Sequence, residues 1–269
     1  MQQEELDLSI IIACYNEHVV LRDSVTELVD VLNGTRYHNS YELIFVDDVS
    51  KDDTVEIILE LIAKYPTTRM VLIQHQKNTG RGRTVTDGIQ AARGRMVGFL
   101  DIDLETPAHY IPAALLEIER GADVCTAERV YKFMWRTFYR QVLSVGYHLL
   151  ESKLLKLHLK DTEVGFKFFK RESILPVLNR CHDPGWFWDT EIMYRSFFAG
   201  LHITEIPTLF IKRYDKKSTV RIFHDSIEYF GKLMHFQHEI KKMRAEYEIK
   251  KLERQVERQV ERQTEEVTN

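Results

Sequence analysis

The chain has 269 residues, 44% of them hydrophobic, and a formal net charge of −4. That is enough for one large α/β domain with a real core, or one domain plus an appendage, and the charge gives no global reason to expect nucleic acid as a partner. The three cysteines, Cys14, Cys125 and Cys181, are scattered without a CxxC pair, so neither a zinc site nor a disulfide framework is expected, and a reducing cytosol is the simple reading.

The amino terminus, MQQEELDLSI, is acidic and lacks the basic and apolar regions of a signal peptide. No stretch approaches the ~18 apolar residues that a spanning helix needs, so membrane contact is expected to be peripheral. Residues 8–15, LSIIIACY, read as a buried strand by their β-branched content. Val20, Leu21, Val25, Leu28, Val29 and Leu32 then recur at helical spacing across 17–33. YELIFVDD (41–48) predicts a second strand, and residues 52–65 a helix with an Asp cap and a stop at Pro66. MVLIQH (70–75), a helix over 82–92 and the strand MVGFLDID (96–103) follow. Alternating strands and helices imply a parallel sheet covered on both faces, with ligands at the strands' carboxyl ends.

Polar residues gather at those ends: Tyr15, Asn16 and Glu17; Asp47 and Asp48; Asn78, Gly80 and Gly82; Asp101, Asp103 and Glu105. Beyond them, DVCTAER predicts a strand ending at Arg129, 130–159 a long, partly aromatic helix, and 165–174 a strand leading into a helix. Residues 186–200 read as a helix ended by Gly200, 202–213 as a strand, and 222–263 as mostly helix. The tail repeats ERQV, a four-residue period that drifts around a helix instead of holding a 3.5-residue seam. Ile249, Leu252, Val256 and Val260 make a narrow stripe, fitting a short coiled coil or a solvated helix, with self-association slightly favoured.

Three acids within GFLDIDLETP (98–107) repel one another, and a divalent cation relieves that best. Hard oxygens suit Mg²⁺ or Mn²⁺, ions that usually bridge to phosphate. Because a strand points residues two apart to one side, Asp101, Asp103 and Glu105 are expected to aim together.

SIIIACYNE, ELIFVDDVSKDDT, NTGRGRTVTDGIQAARG and GFLDIDLE, taken in order, resemble the motifs of family 2 glycosyltransferases with the GT-A fold. DTEVGFKFFKRES, WFWDTEI and IPTLFIKRYDKKSTVRIF bring the likeness closer to polyprenyl-phosphate sugar synthases, the group that includes dolichyl-phosphate mannose and glucose synthases. The resemblance covers about residues 7–230. It implies a GT-A domain over 1–230, with a mostly parallel sheet and helices on both faces; the charge and helical pattern beyond it read as a charged helical tail over 231–269 that fits a coiled coil.

The resemblance also implies roles. Ala13, Tyr15, Glu17, Asp47, Asp48, Gly82, Arg83, Asp101, Ile102 and Arg213 would bind the nucleotide sugar. Asp101, Asp103 and Glu105 would hold Mg²⁺ or Mn²⁺, with Asp101 beside sugar and diphosphate. Arg129, Arg140 and Ser144 would contact an acceptor phosphate. Asp189 and Glu191 stand at the place where hydroxyl-transferring relatives carry an acidic base; Asp189 and Asp161 join Asp101 as catalytic candidates, with Asp189 ranked as an orienter of the acceptor or of arginine side chains. Thr219 stands where close relatives have a lysine on the donor diphosphate, leaving Lys216, Lys217 or Arg221 to supply that charge.

The expected activity is inverting transfer of a hexose from UDP-glucose or GDP-mannose to a dolichyl or undecaprenyl phosphate at the cytoplasmic membrane face. A phosphate acceptor is already anionic and needs cations more than a base. A GT-A transferase acting on a sugar hydroxyl, and a non-catalytic nucleotide-sugar-binding scaffold, are the alternatives. An NAD enzyme is disfavoured because YNE, not a glycine fingerprint, follows the first strand. Residues 218–236, STVRIFHDSIEYFGKLMHF, offer an apolar face to a bilayer, and the tail offers a means of pairing subunits.

Overall fold

A computed structural model describes residues 6–131, 159–213 and 222–268. One seven-stranded sheet organises them. The first half lays down β1 (Leu8–Cys14), α1 (Leu21–Asn33), β2 (Tyr41–Asp47), α2 (Thr54–Lys64), β3 (Arg69–Gln74), α3 (Arg81–Ala91), β4 (Met96–Leu100) and α4 (Ile111–Glu119). The second adds β5 (Val124–Tyr131), β6 (Phe166–Lys170), α5 (Arg171–Leu178), α6 (Trp188–Phe198), β7 (Ile203–Phe210) and the 47-residue α7 (Ile222–Thr268).

The strand order is β3-β2-β1-β4-β6-β5-β7. β1 pairs in parallel with β2 and β4, as Ile12 with Phe45 and Leu8 with Met96. β6 is antiparallel to both of its neighbours, meeting β4 at Leu100–Phe166 and β5 at Val124–Phe169. That single reversal makes the sheet mixed though mostly parallel. It also brings the start of β6 to the same rim as the ends of β4, β5 and β7.

Alternation along the strands divides the core. Ile10 and Ile12 pack with Leu28 of α1, Ile58 of α2 and Leu115 of α4 on one face. Ile11 and Val46 pack with Ile89 of α3, Ile174 of α5 and Ile192 of α6 on the other. Helices therefore cover both faces, as the strand–helix alternation predicts. A third cluster joins Phe187 and Tyr194 to Leu233, Phe236 and Ile240 of α7. The apolar face that the sequence offers to a bilayer over 218–236 is thus occupied by the protein's own core at Leu233 and Phe236. Among the described residues no helix is long and apolar enough to cross a membrane.

Two of the boundaries that differ from the sequence reading bear on the site. Residues 130 and 131 extend β5 instead of starting a helix, and 132–158, the rest of that expected helix, lie outside the described residues. β4 stops at Leu100, so the acids that follow lie on turns, not on a strand.

Candidate active site

The rim at the strands' carboxyl ends is built from strained turns. Among the described residues three non-glycines have positive φ: Asn16 (59°), Val49 (67°) and Leu104 (51°). They follow β1, β2 and β4 respectively. A β-branched valine in the left-handed region is a true outlier and persists only where its surroundings hold it. The first two turns are laced together. Asn16 N donates to Ser50 Oγ at 2.9 Å, Lys51 N to Asn16 Oδ1 at 2.8 Å, and Glu17 N to Thr54 Oγ1 at 2.8 Å. Tyr15 stands partly exposed at the tip, while Ala13 and Ile102 pack into the core.

Asp47 and Asp48 are both buried, but their surroundings differ. Asp47 accepts from Ser50 N at 3.2 Å. The Asp48 carboxylate accepts from Thr79 N (2.8 Å), Thr79 Oγ1 (3.0 Å) and Gly80 N (2.8 Å), and contacts His75 Nδ1 at 2.8 Å. Burial alone raises its pKa, yet the hydrogen bonds from His75, Thr79 and Gly80 outweigh it and hold the group below the usual carboxylate range. Asp48 therefore ties the loop before α3 to β2. Gly80 (φ 91°) makes that turn, and Gly82 packs so closely that a Cβ there would lie 2.4 Å from Trp188 Cβ. Gly82 thus serves close approach of α3 to the start of α6.

α3 starts by pointing Arg81 inward. Its Nε and Nη2 donate to Asp101 Oδ1 at 3.0 and 2.7 Å, and Nη1 donates to Asp189 Oδ2. Asp189 Oδ1 in turn accepts from Lys167 Nζ at 2.8 Å, and the same ammonium donates to the Val164 carbonyl. The guanidinium lies between Phe99 and Trp186, 5.3 and 5.2 Å from their ring centres. Burial opposes the Arg81 charge, but Asp101 and Asp189 overcome it and raise its pKa. Burial lowers the pKa of Lys167, against the pull of Asp189. Of the two arginines that the sequence offers as charge near the sugar, Arg81 or Arg83, Arg83 pairs with Asp87 on the exposed side of α3 (Nε–Oδ2 2.9 Å). Lys167 escaped the sequence reading; the available signal was a lysine set among phenylalanines in a buried strand.

The three acids do not form one cage. Among the described residues no three His, Cys, Asp or Glu side chains converge on a metal position. The reason is the early end of β4: the backbone turns through Leu104, and Arg81 claims Asp101 Oδ1. Asp103 Oδ1 accepts from Glu105 N at 3.2 Å, while Glu105 Oε1 accepts from Arg213 N at 3.2 Å. Arg213 Nη1 reaches the Asp103 carbonyl at 3.4 Å. Burial, and then the Asp103 charge, push the Glu105 pKa up. Paired acids in this condition fit a hard cation held by one or two carboxylates, with phosphate oxygens completing its shell.

Further along the rim, Arg129 clasps the buried Asp161 with both arms of its fork, Nε–Oδ2 2.6 Å and Nη2–Oδ1 2.9 Å. Arg140 and Ser144 lie outside the described residues, as do Lys216, Lys217, Thr219 and Arg221. Glu191 belongs elsewhere: it accepts from Arg195 Nε at 2.8 Å, and Arg195 reaches Glu239 of α7 at 2.6 Å.

The model described as glycosyl transferase family 2 matches residues 9–176. The chain belongs to glycosyl transferase family 2. It is 30% identical over 218 residues to the dolichyl-phosphate beta-glucosyltransferase of Dictyostelium discoideum, covering 76% of this chain and 66% of that one. The human protein of the same name is 27% identical, covering 74% and 65%. Glycosyltransferase AglD of Haloferax volcanii is 29% identical, covering 75% and 32%. The chain thus spans just under two thirds of the glucosyltransferases and about a third of AglD. Among solved structures, glucosyl-3-phosphoglycerate synthase from Mycobacterium tuberculosis with Mn²⁺, UDP-glucose and phosphoglyceric acid superposes with a TM-score of 0.62 at 17% identity, over 87% of this chain and 80% of that one. A Pyrobaculum calidifontis mannosyltransferase with GDP-Man and Mn²⁺ gives 0.54 at 20%, over 77% and 57%. At that identity the likeness establishes the fold, which is GT-A.

Proposed function

We propose that the protein is an inverting transferase that moves a hexose from a nucleoside diphosphate sugar to the phosphate of a polyprenyl lipid, with UDP-glucose the preferred donor. One observation carries the choice of acceptor. Each of the catalytic candidates is already ion-paired, Asp101 with Arg81, Asp189 with Arg81 and Lys167, and Asp161 with Arg129, and so is Glu191, with Arg195. A sugar hydroxyl needs a proton acceptor, whereas a phosphate monoester, with a second pKa of about 6, is a ready anion. The names of the Dictyostelium and human relatives support both the lipid phosphate and glucose.

In the proposed step an acceptor phosphate oxygen attacks C1 of the sugar from the face opposite the diphosphate. The C1–oxygen bond breaks and the nucleoside diphosphate leaves with the electron pair. No proton need move. Arg129, held in place by Asp161, neutralises the acceptor, with Arg140 and Ser144 the sequence's further candidates. Tyr15, Glu17 and Asp47 line the nucleotide end, while Asp48 orients the loop beneath it. Asp103 and Glu105 would hold Mg²⁺ or Mn²⁺, which when bound would supply positive charge to the leaving diphosphate. A lipid acceptor implies peripheral membrane contact, proposed at the cytoplasmic face, and α7 is the proposed element for self-association.

Labelled UDP-glucose offered with dolichyl phosphate, and separately with glucose or a short glucan, tests the reading. Label should pass only to the lipid phosphate. Transfer to the hydroxyl acceptors alone would overturn it.

A further inference from the structure

Four charged side chains run in file from the core to the rim, alternating in sign: Lys167, Asp189, Arg81, Asp101. Their side chains are 0, 2, 11 and 45% exposed. The file is closed at its inner end, where Lys167 also donates to the Val164 carbonyl, and open only at Asp101. Both Asp189 oxygens are engaged, one by each cation, and the side chain is buried. Asp101 is fixed from two further directions. Its backbone N–H donates to the Gly165 carbonyl at 2.9 Å, and its side chain lies against Gly165, where a Cβ would fall 1.9 Å from Oδ2.

We propose that Asp189 is a positioning residue for the sugar-nucleotide donor: it holds Arg81, and Arg81 sets the direction of the Asp101 carboxylate at the rim. Lys167 neutralises Asp189 from behind, so that its charge is spread over two cations. A guanidinium is suited to the middle place because its planar fork serves two carboxylates in fixed geometry, which a lysine ammonium cannot do. The proposal rests on the transferase reading above. It assigns Asp189 to the donor side, by way of Arg81, and denies it the part of a proton acceptor or an acceptor orienter.

The test compares Asp189→Asn, Arg81→Lys, their combination, and Gly165→Ala by calorimetric titration with UDP-glucose and Mn²⁺, alongside steady-state kinetics and thermal melting. Asp189→Asn and Arg81→Lys should each weaken UDP-glucose binding by about tenfold or more, with the acceptor KM changing less than about threefold. The double variant should be little worse than the poorer single one, because both act along one path. Asp189→Glu should restore part of the affinity.

Gly165→Ala reaches the same carboxylate while leaving Lys167, Asp189 and Arg81 unchanged. The colliding atoms are the far end of the Asp101 side chain, so the carboxylate should swing away and the fold survive. It should lose donor affinity with little change in melting temperature, and it carries the test with Arg81→Lys if Asp189→Asn does not fold. An Asp189→Asn enzyme that binds UDP-glucose normally but loses about a thousandfold in kcat would overturn the proposal and make Asp189 a base. Gly165→Ala with wild-type donor affinity would overturn it as well. Failure of the transferase reading is distinct: the unmodified protein would then transfer no sugar from UDP-glucose or GDP-mannose, whatever its affinity for them.

Discussion

The two ends of the sheet use the same chemistry to different effect. At the amino end, the buried Glu42 accepts from Ser9 Oγ (2.7 Å), Arg93 N (2.9 Å) and Arg69 Nε (2.8 Å), and Arg95 bonds Asp7 at 2.6 Å. These bonds staple the starts of β1, β2, β3 and β4, and no described non-glycine residue there has a positive φ. At the carboxyl end, buried acids again meet arginines, but beside three left-handed non-glycine turns and an acid, Asp101, left half exposed. A buried ion pair by itself is therefore no mark of function in this molecule. The pairs that point to a site are those set among strained turns, with one member reaching the solvent.

The contrast can be broken most sharply at Asp161. Replacing it by Asn should break the bidentate Arg129–Asp161 pair and lower transfer to lipid phosphate by about a hundredfold, as for other buried charge pairs that lose one partner. UDP-glucose affinity should be unchanged within about twofold. A large loss of donor binding would place Arg129 and Asp161 on the wrong side of the reaction. The matching change at the other end, Glu42→Gln, should destabilise the fold by about 2–3 kcal/mol in urea denaturation, through bonds lost to Ser9, Arg69 and Arg93. Its kcat at a temperature where it stays folded should equal that of the wild type, and a fall in kcat would erase the distinction between the two rims.

A smaller effect is expected from Val49→Gly. It removes left-handed strain, so stability should rise by up to about 1 kcal/mol after the added chain entropy of glycine is offset. Donor KM should increase, because the turn that presents Asp47 and Asp48 is no longer fixed. A stability loss would mean that the valine side chain, not the backbone, matters there. The smallest effect is assigned to Glu105. Its raised pKa means that the folded state binds its proton more tightly than the unfolded chain does. This group's contribution therefore favours folding at acid pH and opposes it as pH rises through the folded value. Glu105→Gln should raise Tm by about 2 °C at neutral pH in metal-free buffer. With Mn²⁺ and UDP present the gain should vanish, and a gain independent of metal would argue against Glu105 as a ligand. Asp48 has the opposite sign: its depressed pKa stabilises the fold above the usual carboxylate value and is lost as pH falls through the depressed one. Acid titration of Asp48→Asn should accordingly show a shallower loss of stability.

Much of this was readable from the sequence, because period and punctuation are local. The β-branched runs of β1 and β2, the helical spacing of α1 and the acids after β4 could be placed from neighbouring residues alone. So could the convergence of four loops on one rim, since successive parallel strands end on the same side. Partner choice could not be read locally. Arg81 and Arg83 are two residues apart in a glycine-rich run. Only the packing of Gly82 against Trp188 decides that Arg81 faces Asp101 and Asp189 while Arg83 faces solvent. The end of β4 at Leu100 likewise puts Asp101, Asp103 and Glu105 on turns instead of along one strand face, because its length is set by pairing with β6, about seventy residues later. The order of charges along a chain fixes what can be paired; which pairs form depends on burial and on contacts between distant segments, and those exist only once the sheet is assembled.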